Sequence, residues 1–210
     1  MTVIIPSRTL SNLEACVKAV RENEPTARII VVDDGLEVID PYTRTIKGVK
    51  PFVYSRNINL GIQAAGTDDV VLLNDDALLK TPGGFSFIQK ARDHYGIIAA
   101  TCNNVGNKNQ YPQGSGCIRF EPRMVCFVAV YIPRSTIDLV GLLDERFTGY
   151  GSEDDDYCRR VREAGLKIGI HDGCYVDHGS LRSTFRGDPK AGGDIRQNKL
   201  IYRQKWGDLN

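Results

Sequence analysis

Apolar residues fall along this chain in short unbroken blocks. Val3-Ile4-Ile5, Ile29-Ile30-Val31-Val32, Val70-Val71-Leu72-Leu73 and Ile97-Ile98-Ala99-Ala100 each run without a polar interruption. Blocks of this length, rich in β-branched residues, read as strands covered on both faces, as in a parallel sheet. Between the first two, apolar residues at 10, 13, 16, 17 and 20 form a helical stripe from Leu10 to Glu22, with Thr9 or Ser11 as N-cap. Phe52-Val53-Tyr54 reads as a third short strand, and Asn59 to Gly66 as a short helix. Strand and helix thus alternate over the first 75 residues, which predicts a Rossmann-like parallel sheet with right-handed crossovers. Beyond it, the pattern predicts helices over Phe85–His94, Arg134–Val140 and Ser152–Ala164, with strands over Val125–Ile132, Lys167–Ile170 and Cys174–Val176. Residues 102–123, rich in Asn, Gly and Gln, read as a loop or ragged hairpin. Ile195, Leu200, Ile201 and Trp206 predict a terminal amphipathic helix from Asp194.

Acids gather where these strands end. The block at 70–73 runs into Asn74-Asp75-Asp76, and the block at 29–32 into Asp33-Asp34-Gly35. A buried ionised carboxylate is costly, which places these acids just past the strand ends. Ligands of open α/β sheets bind there. Either reading is open on the residues alone: a turn with solvated acids, or a site for a divalent cation and its anion. A second cluster, Glu153-Asp154-Asp155-Asp156, opens the helix at 152–164. One or two acids stabilise a helix start by ~0.3–1 kcal/mol each, but four repel one another. Ser152 with Asp155 has the spacing of a capping box, and Asp156 is expected to pair with Arg159 or Arg160. That leaves Glu153 and Asp154 at the helix mouth, where the helix start is expected to hold them ionised. Tyr150-Gly151 before them suits a polyol that stacks on a ring and hydrogen-bonds to carboxylates.

Bulk composition narrows the classes. The 210 residues fit one α/β domain, and a net charge of +1 gives no global field for nucleic acid or an anionic membrane. No apolar run approaches the ~20 residues of a membrane span, and the N-terminus lacks the features of a signal peptide. Six scattered cysteines with no CxxC pair predict free thiols, no zinc site and a cytoplasmic setting. Cys158 reads as core, and His94 and His171 as ordinary histidines.

Several stretches, in order, resemble the family 2 glycosyltransferases, inverting enzymes of GT-A fold. Val3-Ile4-Ile5-Pro6-Ser7-Arg8 resembles the family's first strand and nucleotide loop, and Val31-Val32-Asp33-Asp34-Gly35 its acidic turn. Asn59-Leu60-Gly61-Ile62 is similar to the segment preceding the metal motif, and Asn74-Asp75-Asp76 stands where that motif lies, with Asn in its first place. Val140 to Phe147 is close to the family's "GGFDERF" stretch, and Glu153 to Arg160 to its "EDVDLCLR" helix. Residues 149–156 also resemble the acceptor loop of β-1,4-galactosyltransferases. Val176-Asp177-His178-Gly179-Ser180 looks like the late histidine motif, and Lys205-Trp206-Gly207 like the terminal "KWG".

The resemblance implies a single GT-A domain over 1–210, with a central, mostly parallel mixed sheet flanked by helices. Residues 1–100 would bind the nucleotide sugar, and 101–210 the acceptor. It implies donor contacts from Pro6, Ser7, Arg8, Asp34, Arg56 and Asp75, and Mn2+ or Mg2+ held by Asp76 and His178. Asp154 would be the base, with Glu153 beside it at the acceptor. The implied partners are a nucleoside diphosphate sugar, with uridine favoured, and a hydroxyl of a saccharide or glycoconjugate. Arg182 and Arg186 would either clamp the diphosphate or stand in solvent. A nucleotidyltransferase is an alternative, although it would want a glycine-rich basic loop where Ser7-Arg8-Thr9 stands. A non-catalytic sugar- or nucleotide-binding module is another.

Overall fold

The computed structural model describes residues 1–33, 35–36, 43–149, 151–183 and 191–207. Strand β1 (Thr2–Ser7) lies between two parallel neighbours, β2 (Arg28–Asp33) and β4 (Val70–Leu73). Strand β3 (Arg44–Lys47) extends this half in parallel beyond β2. On the other side of β4 the sheet is mixed. Strand β8 (Ala129–Ile132) is antiparallel to β4 and to β6 (Ile97–Cys102), and β6 runs parallel to β9 (Ile168–Asp177). The long β9 carries two short antiparallel partners, β5 (Leu78–Leu79) near its end and β7 (Ile118–Glu121) near its start. Among the described residues this gives a mixed sheet of nine strands.

The unbroken apolar blocks are explained by what covers each face. Val3, Ile5, Ile29, Val31, Val71 and Leu73 point to one side, against α1 (Leu10–Asn23) and α3 (Gly84–Lys90). Ile4, Ile30, Val32, Val70 and Leu72 point to the other, against α2 (Tyr54–Ala65), α4 (Arg134–Val140) and α5 (Glu153–Glu163). Strand residues alternate between faces, so a sheet with helices on both sides needs apolar residues at every position. Helix α2 lies very close to β1: a Cβ placed on Gly61 would stand 2.3 Å from the Ile4 Cγ2 atom. None of the described helices is long and apolar enough to cross a membrane.

Several expectations need correction. Phe52-Val53-Tyr54 is not a strand. Val53 is the extended residue before α2, and Tyr54 begins the helix, whose inward residues Ile58, Ile62 and Ala65 follow at helical spacing. The third strand is Arg44–Lys47, an edge strand with one large apolar residue and so little sequence signal. The strand expected over Val125–Ile132 begins only at Ala129. The two short strands expected over 167–176 are one strand, β9, whose pairing with β6 slips at an irregularity between Ala100 and Thr101. The helix expected over Phe85–His94 starts at Gly84 and ends at Lys90, with a single 3-10 turn over Arg92–His94 after it. The polar stretch 102–123 contains strand β7 and a short turn over Lys108–Gln110.

The capping box does not form. Ser152 stands at φ 74°, and its side chain makes no capping hydrogen bond. The Asp155 N–H donates instead to Asp154 Oδ1 at 2.9 Å. The terminal helix α6 (Ala191–Trp206) is present, but its inward residues are Asn198 and Tyr202, while Leu200 is 51% exposed. All six cysteines are free, and Cys158 is buried.

Candidate active site

The carboxyl ends of β1 and β4 open into a cavity of about 180 Å³. Pro6 from β1 and Asn74, Asp75 and Asp76 from the end of β4 form one wall. Gly149, Gly151, Glu153 and Asp154 form another, where the loop before α5 meets its first turn. His178, just past β9, closes a third side. Phe52, Tyr54, Val105, Cys126, Phe127 and Val128 supply the apolar lining.

Asp75 is 6% exposed and Asp76 4%, so each must find a partner inside the protein. Asp75 Oδ2 accepts the Ser7 hydroxyl at 2.6 Å. Burial pushes the Asp75 carboxyl up, to about 6, against the pull of that hydrogen bond and of the Arg8 charge. Asp76 Oδ1 faces His178 Nε2 at 3.1 Å. The other ring nitrogen of His178 lies 2.5 Å from the Asn104 carbonyl oxygen. A carbonyl only accepts, so Nδ1 carries the proton. In a neutral ring, Nε2 then turns a lone pair toward a carboxylate oxygen, and two acceptors face each other. A shared cation resolves that arrangement, as does a proton on Nε2. The donor set is one imidazole nitrogen and one carboxylate, and no group of three or more potential ligands stands together among the described residues. The pair therefore fits a cation that takes its remaining ligands from a bound substrate or water.

The four acids of α5 divide by depth. Asp156 is fully buried and structural: its Oδ2 accepts Arg160 Nε at 3.0 Å, and its Oδ1 accepts Trp206 Nε1 at 2.7 Å. Lys205 Nζ also lies 2.7 Å from Asp156 Oδ1. The expected pairing with Arg160 is thus present. Glu153 and Asp154 are half-buried and line the cavity. Burial pushes both carboxyls up, and in Asp154 the charges of Glu153 and Asp155 add to the rise. The shift runs opposite to the lowering expected of a helix start: desolvation and mutual repulsion outweigh the helix dipole. Tyr54, whose hydroxyl donates to the Phe127 carbonyl at 3.3 Å, is raised first by burial and then by the charges of Glu153, Asp154 and Asp76. Acids from both walls therefore act on one hydroxyl.

Of the residues expected at the site, Pro6, Asp75, Asp76, Glu153, Asp154 and His178 line the cavity, and Ser7 reaches it through Asp75. Arg8 stands over the Phe52 ring, 5.8 Å from its centroid. Arg56 is not among the lining residues, and its Nε pairs with Glu145 at 3.4 Å. Asp34, Tyr150 and Arg186 lie outside the described residues. Asp33 folds the turn beside Asp34, its Oδ1 accepting the N–H groups of Gly35 and Leu36. Arg182 is exposed, while Ser183 after it reaches the cavity. The sequence reading missed Phe52 and Tyr54, which it placed in a strand, and Cys126, whose thiol burial drives up to about 12. It also missed the contact between Asn104 and His178. The asparagine-rich composition of 102–123 was the available signal.

Comparison with known proteins bears on this geometry. The profile of glycosyl transferase family 2 matches residues 2–125. No curated protein matches the chain closely enough to be called a relative. Among solved structures, GalNAc-T7 with UDP, GalNAc and Mn2+ superposes with a TM-score of 0.74 at 14% identity, over 99% of this chain and 48% of that one. A mannosyltransferase from Pyrobaculum calidifontis with GDP-Man and Mn2+ gives 0.72 at 13% identity, over 100% of this chain and 64% of that one. The catalytic domain of Drosophila β1,4-galactosyltransferase 7 with xylobiose gives 0.59 at 17% identity, over 92% and 78%. At these identities the likeness is one of fold, and the chain spans about half the length of GalNAc-T7.

Proposed function

We propose, for a chain that belongs to glycosyl transferase family 2 and is a glycosyltransferase, that it moves a sugar from a nucleoside diphosphate to an acceptor hydroxyl with inversion of the anomeric carbon. The observation that carries this reading is the convergence of two acid pairs on one cavity, Asp75 with Asp76 and Glu153 with Asp154. Asp76 and His178 would hold the divalent cation, and the imidazole nitrogen favours Mn2+. When bound, such a cation neutralises charge on the leaving diphosphate. Asp75, oriented by Ser7, faces the donor ribose. Pro6, Arg8 and Asp34 hold the base, with uridine favoured; the UDP bound to GalNAc-T7 supports that choice.

Asp154 accepts the proton of the acceptor hydroxyl, and Glu153 hydrogen-bonds the acceptor. The same burial that raises the Asp154 pKa makes its ionised form a better match for a hydroxyl proton. The aromatic lining of Phe52, Tyr54 and Phe127 suits the apolar face of a saccharide, and helps keep water out. Attack from the side opposite the diphosphate inverts the anomeric centre. The free cysteines support a reducing, cytoplasmic setting.

The test is to incubate the protein with Mn2+, a panel of UDP- and GDP-sugars and saccharide acceptors. The anomeric configuration of the first product is then read by NMR. Inverted product, formed only with the cation, is expected. Retained configuration, or full activity in chelator, overturns the reading.

A further inference from the structure

His178 is held from outside the cavity. It follows β9 in a turn built by Asp177, whose Oδ1 accepts the N–H groups of Gly179 at 3.1 Å and Ser180 at 3.3 Å. That turn is tied to the end of β6 by one side chain. Asn103 Oδ1 accepts the His178 N–H at 2.8 Å, and Asn103 Nδ2 donates to Asp177 Oδ1 at 2.8 Å. The fit is close, since a Cβ on Gly179 would lie 3.1 Å from Asn103 Nδ2. The neighbouring Asn104 completes the tie: its carbonyl takes the ring Nδ1–H, and its amide donates to the His178 carbonyl at 3.2 Å. Asn103 does not line the cavity and is exposed.

We propose that Asn103 is a positioning residue that sets the cation affinity of the Asp76–His178 pair by fixing the Asp177–Ser180 turn. The inference rests on the metal role proposed above for that pair. The ring can reach the Asn104 carbonyl and present Nε2 to Asp76 only while the His178 backbone is held in place. Side-chain amides that fix a ligand's orientation contribute to metal affinity without touching the metal. Removing the Asn103 amide removes both of its bonds to the turn. The ring then keeps its two neighbours, but its own backbone loses that anchor.

The experiment is calorimetric titration of Mn2+, alone and with UDP present, into the parent, Asn103→Ala and Asn109→Ala. Asn109 is an exposed asparagine of the same stretch whose side chain bonds Glu121 rather than the turn. Asn103→Ala is expected to weaken Mn2+ binding ~10–100-fold. Its melting temperature should stay near the parental value, because the side chain is exposed, and Asn109→Ala should bind as the parent does. Mn2+ affinity within twofold of parental in Asn103→Ala overturns the inference while leaving the metal pair standing. An equal loss in Asn109→Ala assigns the effect to the whole stretch and also overturns it. A parent that binds no Mn2+ under either condition refutes the metal assignment and this inference with it.

Discussion

Asp156→Ala should cut the terminal helix loose from the site-bearing helix. The carboxylate is fully buried and holds Arg160 at 3.0 Å, Lys205 at 2.7 Å and the Trp206 indole at 2.7 Å. Removing one partner of a buried ion pair costs about 3–5 kcal/mol, because the cations left behind lose their counter-charge. Here both cations keep a second acceptor: Arg160 donates to the Val140 carbonyl at 3.1 Å, and Lys205 pairs with Asp144 at 2.8 Å. The loss should therefore fall near the lower bound, at about 3 kcal/mol. For a chain of this size that is a fall in Tm of about 6–12 °C. Asp156→Asn keeps an acceptor for Trp206 while losing the charge, and should cost about 2 kcal/mol. Trp206 is the only tryptophan in the chain, so its fluorescence reports on this joint directly during melting. A Tm within about 2 °C of parental for Asp156→Ala would refute the anchoring role.

The remaining predictions concern pH and the metal pair. Burial alone would raise the Asp172 carboxyl, but hydrogen bonds from Arg119 and Ser115 outweigh it and hold it below its ordinary value. Its contribution is thus complete above pH ~4 and lost as pH falls through the depressed value, so Asp172→Asn should flatten the acid limb of urea midpoints measured from pH 3 to 6. Because burial raises Asp154, the acid limb of the pH–rate profile should lie above the ordinary carboxylate range near ~4; a rate flat down to pH 4.5 would contradict this. Asp76→Ala should abolish cation-dependent nucleotide binding, checked by calorimetry with Mn2+ and UDP, and unchanged affinity would take Asp76 out of the metal site.

The strands covered on both faces were legible because burial on both sides leaves no room for polar residues. That is why β1, β2 and β4 stand as unbroken apolar blocks. The position of Asp75 and Asp76 was legible for the complementary reason: a buried ionised carboxylate is costly, so acids after such a block mark the strand's end, and there they line the cavity. The edge strand Arg44–Lys47 left almost no trace, because it lies at the edge of the sheet, exposed at both ends and only half-buried between, and so needs no apolar block. Val53 and Tyr54 misled because an apolar pair looks the same at a helix start as in a strand. The direction of the Glu153 and Asp154 shifts was not legible, because the sequence shows the helix start but not the walls that desolvate the two carboxyls. The tie between Asn103, Asn104 and His178 joins residues some 75 positions apart and is visible only when β6 and β9 are seen as neighbours.

The central claim is a carboxylate base, Asp154, at the start of α5, across the cavity from the Asp76–His178 pair proposed to hold the cation. Its most direct test is turnover of Asp154→Asn at saturating Mn2+ and nucleotide sugar, read as nucleoside diphosphate released in the presence of acceptor. The substitution keeps size and shape but cannot accept the proton. Turnover should fall ~10²–10⁴-fold while nucleotide affinity holds. Near-parental turnover in Asp154→Asn with a dead Glu153→Gln would move the base one residue back, and near-parental turnover in both would contradict the account.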